Sequence, residues 1–83
     1  MDATKQECRD AIFRASKRGS VSMADVWLKV LKDFQRETGV NLITQESSEP
    51  RLTVIEKMGK LNTFAKICKD AITYYECQFK QTH

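Results

Sequence analysis

The apolar positions of this chain fall into three stretches with helical spacing, joined by shorter polar segments of weaker pattern. Between Thr4 and Arg18, Cys8, Ala11, Ile12 and Ala15 recur at intervals of three and four, with Phe13 beside them. The stripe is narrow and made of small side chains, so it predicts a helix that approaches a neighbour closely and adds little core volume of its own. Gly19 follows at the position where a left-handed residue commonly ends a helix.

A second helix is predicted from Met23 to Thr38 by several independent signals. Ser22 can accept from an unpaired amide of the first turn, and Asp25, three residues on, places negative charge at the same end. Val21 before the cap and Val26 at the fourth helical position have the spacing of a hydrophobic staple. Val26, Trp27, Val30, Leu31 and Phe34 form a broad apolar face, and Gly39 supplies a stop.

The third stretch is the longest. Leu61, Phe64, Cys68, Ala71 or Ile72, Tyr75 and Phe79 advance along one face of a helix ending near Gln81, flanked by Ile67 and Tyr74. Asn62, Lys66, Lys69, Thr73 and Lys80 face away from that stripe.

Residues 41–58 read in two ways. Leu52, Ile55 and Met58 have helical spacing, with Ser47 or Ser48 available as a cap and Pro50 tolerated in a first turn. Leu52-Thr53-Val54-Ile55 is also rich in branched side chains and can pair with Asn41-Leu42-Ile43-Thr44 across the exposed acidic loop at 45–50. The fold expected is therefore all-α or mainly α: one domain over residues 1–83, a compact bundle of three principal helices, with a short β-hairpin at 41–57 as the alternative for that segment.

Composition adds bounds. With 83 residues, 41% hydrophobic and 30% charged, the chain has ordinary globular balance, and one proline and three glycines leave long ordered segments intact. The opening residues are polar and no apolar run nears the roughly 20 residues that span a bilayer, so no leader and no membrane contact are expected. Three cysteines, an odd number, fit a reducing cytoplasmic or other intracellular setting better than a disulfide framework.

Catalytic and metal chemistry find little support in the pattern. His83 is the only histidine and no serine or cysteine lies beside it in sequence. Cys68 and Cys77, nine positions apart, point to opposite sides of one helix, so Cys68 reads as a small buried hydrophobe and Cys77 as exposed. Acidic side chains at Asp10, Asp25, Glu56 and Glu76 each precede a Lys or Arg by four positions, the spacing of surface ion pairs. No glycine-rich phosphate loop is present, and no enzyme activity, metal or cofactor is expected.

Two binding chemistries remain. The net charge of +3 modestly favours an acidic partner. A nucleic-acid-binding transcriptional or replication regulator would use Arg9, Arg14, Lys17, Arg18, Lys29 and Lys32 on phosphates. A helix-turn-helix geometry would point Lys29, Lys32, Gln35 and Arg36 at the duplex, but Asp25 and Asp33 interrupt that positive field. The leading expectation is a non-enzymatic regulator or inhibitor that recognises a protein, with homodimerisation as a further option. Trp27, Tyr74, Tyr75 and Phe79 would be the aromatic anchors, while Arg36, Lys66 and Lys69 orient an acidic surface.

Overall fold

The computed structural model describes residues 3–43 and 48–81, with side chains followed as far as Cys77. Four helices succeed one another: α1 (Lys5–Gly19), α2 (Met23–Thr38), α3 (Arg51–Lys57) and α4 (Leu61–Gln81). Three of them are the principal helices expected, and α3, the helical one of the two readings of its segment, makes four helices where a bundle of three was expected. The hairpin expected as the alternative at 41–57 does not form: the segment from Arg51 is helical and no strand occurs among the described residues. Leu52 and Ile55, three apart, are both buried, which only the helical period achieves for them together. Residues 44–47, which take in the first half of the expected acidic loop, lie outside the described residues, as do His83 and the side chains of Phe79 and Lys80.

Local chemistry explains where the helices start and stop. Thr4 caps α1 by accepting from the Glu7 amide at 3.1 Å, and Ser22 caps α2 by accepting from the Asp25 amide at 3.2 Å. Val21 and Val26 both pack into the core, in keeping with the staple spacing. The end of α1 departs from expectation by one residue. Ser20, with φ of 52°, is the left-handed residue, and paired bonds from Ser20 N to Lys17 O and from Val21 N to Ser16 O close a Schellman turn around it. Gly19 is still helical, and its lack of a side chain serves packing instead: a Cβ built there would sit 2.7 Å from Cδ1 of Tyr75. At the end of α3, by contrast, Gly59 does occupy the left-handed position, with φ of 74°, and the chain turns into α4 within two residues.

All four helices contribute to one apolar cluster, and α1 packs most extensively on α4, as its small-residue stripe predicts. Phe64 of α4 is the centre of the aromatic packing. It stacks on Trp27 at 5.9 Å and meets Phe34 edge-on at 5.6 Å, tying α4 to α2. Leu42 is buried in the connection between α2 and α3, and the Arg51 guanidinium donates from Nε to the Leu42 carbonyl at 3.1 Å, fixing that connection to the start of α3. No helix among the described residues is long and apolar enough to cross a membrane.

The thiols divide as the wheel predicts. Cys8 of α1 and Cys68 of α4 are both fully buried, whereas Cys77 is exposed. The neighbouring Cys8 and burial push the Cys68 thiol upward, away from the reactive thiolate, and enclosure in the core keeps reagent from both thiols. Under native conditions, titration with Ellman's reagent should therefore modify Cys77 promptly and leave Cys8 and Cys68 protected until denaturant is added. Prompt modification of more than one thiol in the folded protein would contradict the packing of α1 on α4.

Candidate functional site

The apolar stripe of α2 is wider than the core needs. At about 100° per residue, Val26, Val30, Phe34, Trp27 and Leu31 cross the stripe in angular order, and Leu28 stands about 60° beyond Leu31. The first group is buried or half-buried, while Leu28 remains 42% exposed. Leu28 is consequently a ridge, and it lines two separate grooves.

The first groove has a volume of about 580 Å³. Ala24, Trp27, Leu28 and Leu31 of α2 form one wall, and Ile43, Pro50 and Leu52 bring in the α2–α3 connection and the start of α3. Arg9 of α1 and Arg51 of α3 are the charged groups lining it. Arg51 is oriented by its bond to the Leu42 carbonyl, and neither arginine makes an ion pair among the described residues. An apolar floor beside guanidinium groups that no described carboxylate pairs with suits an occupant that is itself amphipathic and acidic.

The second groove, of about 570 Å³, is polar and internally paired. Lys29 Nζ lies 3.9 Å from the centre of the Tyr74 ring and 2.9 Å from Asp33, and Arg36 also pairs with Asp33. Tyr74 is 43% exposed and meets Tyr75 edge-on at 5.1 Å. Tyr75 itself is buried against Gly19. Burial first, then Tyr74, Asp25 and Asp33, push its phenol above the usual range, so it stays neutral.

The residues predicted to bind protein thus separate into groups. Trp27 lines the apolar groove, and Arg36, Tyr74 and Tyr75 line the polar one, with Leu28 shared between them. Tyr75 belongs largely to the core, which removes most of its ring from a docking surface. Lys66 and Lys69 are exposed but line a different hollow, with Ala3, Thr4 and Asn62. Phe79 falls where side chains are not described.

The six cations considered for phosphate contact are similarly divided. Arg9 lines the apolar groove, and Arg14 shares a hollow with Lys69, Glu7 and Asp10. Lys17 sits 5.3 Å from the centre of the half-exposed Phe13 ring, and Arg18 is exposed at the end of α1. Lys29 is held by Asp33, and Lys32 lines the polar groove between acidic neighbours.

Leu28, Ile43 and Arg51 are among the groove residues that sequence reasoning did not single out for binding. Leu28 carried a readable signal, being one apolar position more than the α2 stripe requires. Arg51 carried none, because its place depends on the path of the chain between α2 and α3. Comparisons of this chain with protein-family models, with curated proteins and with solved structures find no match.

Proposed function

We propose that this chain is a non-enzymatic regulatory or inhibitory protein that acts by recognising another protein through the outer face of α2. The supporting observation is the apolar groove itself: Leu28 is left 42% exposed at its edge although the core beneath is already filled by Val30, Leu31 and Phe34. Such surplus apolar surface rimmed by positive charge is the usual composition of a recognition patch. Trp27, which stacks on Phe64 and lines the groove, is the aromatic anchor, held rigid from behind. The three unpaired thiols support work in a reducing, intracellular compartment.

The nucleic-acid reading draws less support, because its six cations divide among several surfaces and two of the helical ones share space with Asp33. Leu28→Asp is the discriminating variant. Its site is largely exposed, so circular dichroism should be unchanged and thermal unfolding should shift by no more than about 1 kcal/mol. A partner retained from the source cell by the wild-type protein should be lost on the variant. Retention of every captured protein by Leu28→Asp, together with tight, salt-sensitive binding of DNA or RNA near about 50 mM salt, would overturn the protein-recognition reading in favour of a nucleic-acid regulator.

A further inference from the structure

Resting on that reading, we infer that the occupant of the α2 groove is an acidic amphipathic helix of a partner protein, its apolar face on Trp27, Leu28 and Leu31 and its carboxylates on Arg9 and Arg51. Three observations converge on this chemistry. The first is charge. Arg9 and Arg51 line the groove, no acidic side chain lines it among the described residues, and neither guanidinium is neutralised by a described ion pair. A carboxylate arriving there gains a bidentate, charge-assisted partner in each arginine, whereas a basic segment is repelled by both.

The second observation is length. The α2 wall runs from Ala24 to Leu31, seven steps of about 1.5 Å, or about 10 Å along the axis. That span matches about two turns of a partner helix, which present apolar anchors at i, i+3 or i+4, and i+7. The third is the character of the walls. They are built from helices and their connection, and no strand occurs among the described residues, so an extended peptide finds no sheet edge to join. Side-chain insertion from a helix suits such a surface, because it asks for no backbone bonds from helices whose groups already bond within themselves.

The orientation of Arg51 strengthens the assignment. Its Nε is engaged by the Leu42 carbonyl, which holds the guanidinium in one attitude and leaves its terminal nitrogens to meet a carboxylate. Arg9 is exposed on α1 and makes no such bond among the described residues, so it is the adjustable member of the pair.

The test is selection of binders to the full chain from a displayed library of random helical peptides about sixteen residues long, some four turns. Recovered peptides should combine three apolar anchors at helical spacing with net negative charge. Their affinity should fall at least about tenfold on Arg9→Glu and again on Arg51→Glu, and charge-reversed versions carrying lysine should regain binding on those variants. Arg9→Glu breaks no described ion pair and is the cleaner of the two, should Arg51→Glu disturb the α2–α3 connection. Binders that depend on Leu28 but are neutral or basic, or that ignore both arginines, would overturn the acidic helix while leaving protein recognition by this face intact. Failure to recover any binder that Leu28→Asp weakens would overturn both. Sedimentation showing a dimer abolished by Leu28→Asp would assign the groove to a second copy of the chain and likewise overturn the acidic helix.

Discussion

Phe64→Ala is expected to cost about 3–5 kcal/mol, the range for truncating a fully buried phenylalanine, and so to remove most of the stability of a chain this short. Phe64 has no exposed surface and is the shared neighbour of Trp27 and Phe34. Removing its ring deletes both aromatic contacts and opens a cavity between α2 and α4 that neither helix can close without moving. Urea titration followed by circular dichroism and by Trp27 fluorescence measures the loss, and the indole, no longer stacked, should report an altered environment even in the folded fraction. Phe13→Ala provides the scale. Phe13 is 50% exposed with Lys17 lying over its ring, so its truncation should cost less than about 1 kcal/mol. Equal effects from the two substitutions would mean that Phe64 is not the centre of the core. The same experiment bears on the groove, since Trp27 is steadied by Phe64 from within: a milder change, Phe64→Leu, should weaken partner binding through Trp27 while leaving the helices formed.

The legible part of this fold is the part decided locally. Ser22, Asp25 and the Val21 and Val26 spacing specify the start of α2 through bonds and contacts within a few residues, and the structure forms them. The small side chains of α1 announce close packing, and the α1–α4 contact follows. What could not be read depends on groups distant in the chain. The seven residues of α3 are too few to hold a helix by propensity, and Thr53 and Val54 favour strand, so burial of Leu52 and Ile55 decides the outcome. The candidate site behaves in the same way. Trp27 was recognisable as a large ring on the apolar face of an amphipathic helix, but the meeting of Arg9 and Arg51 at one groove joins positions forty-two apart and has no local signature. Tyr75 was legible as apolar and aromatic. That it is enclosed, unlike Tyr74 beside it, is fixed by a glycine in another helix.

That glycine gives the clearest reversal of a local rule. In a helix, alanine is favoured over glycine by up to about 1 kcal/mol, and Gly19 is helical with no positive φ, so propensity alone makes Gly19→Ala stabilising. The expected result is destabilisation by about 1–3 kcal/mol, the cost of overpacking a filled site. The added Cβ would stand 2.7 Å from Cδ1 and 2.9 Å from both Cγ and Cβ of Tyr75, too close for any of the three, and the Tyr75 Cβ cannot swing away because it is fixed to the α4 backbone. Relief therefore requires α1 and α4 to separate at that point, which also displaces Tyr74 and the Lys29 contact lining the polar groove. A double-mutant cycle identifies the cause. In a Tyr75→Ala background the ring clashes vanish but the Cβ approach of 2.9 Å persists, so Gly19→Ala should become less costly without becoming favourable. Gly39→Ala is the control: nothing lies within 4 Å of its added Cβ, and its cost comes from a φ of 78°, so it should be the same in the wild-type and Tyr75→Ala backgrounds. If Gly19→Ala raised the unfolding midpoint, the close approach of α1 to α4 would have to be abandoned, and with it the reason Tyr75 belongs to the core; a cost unchanged by removal of the ring would assign it to the Cβ contact alone.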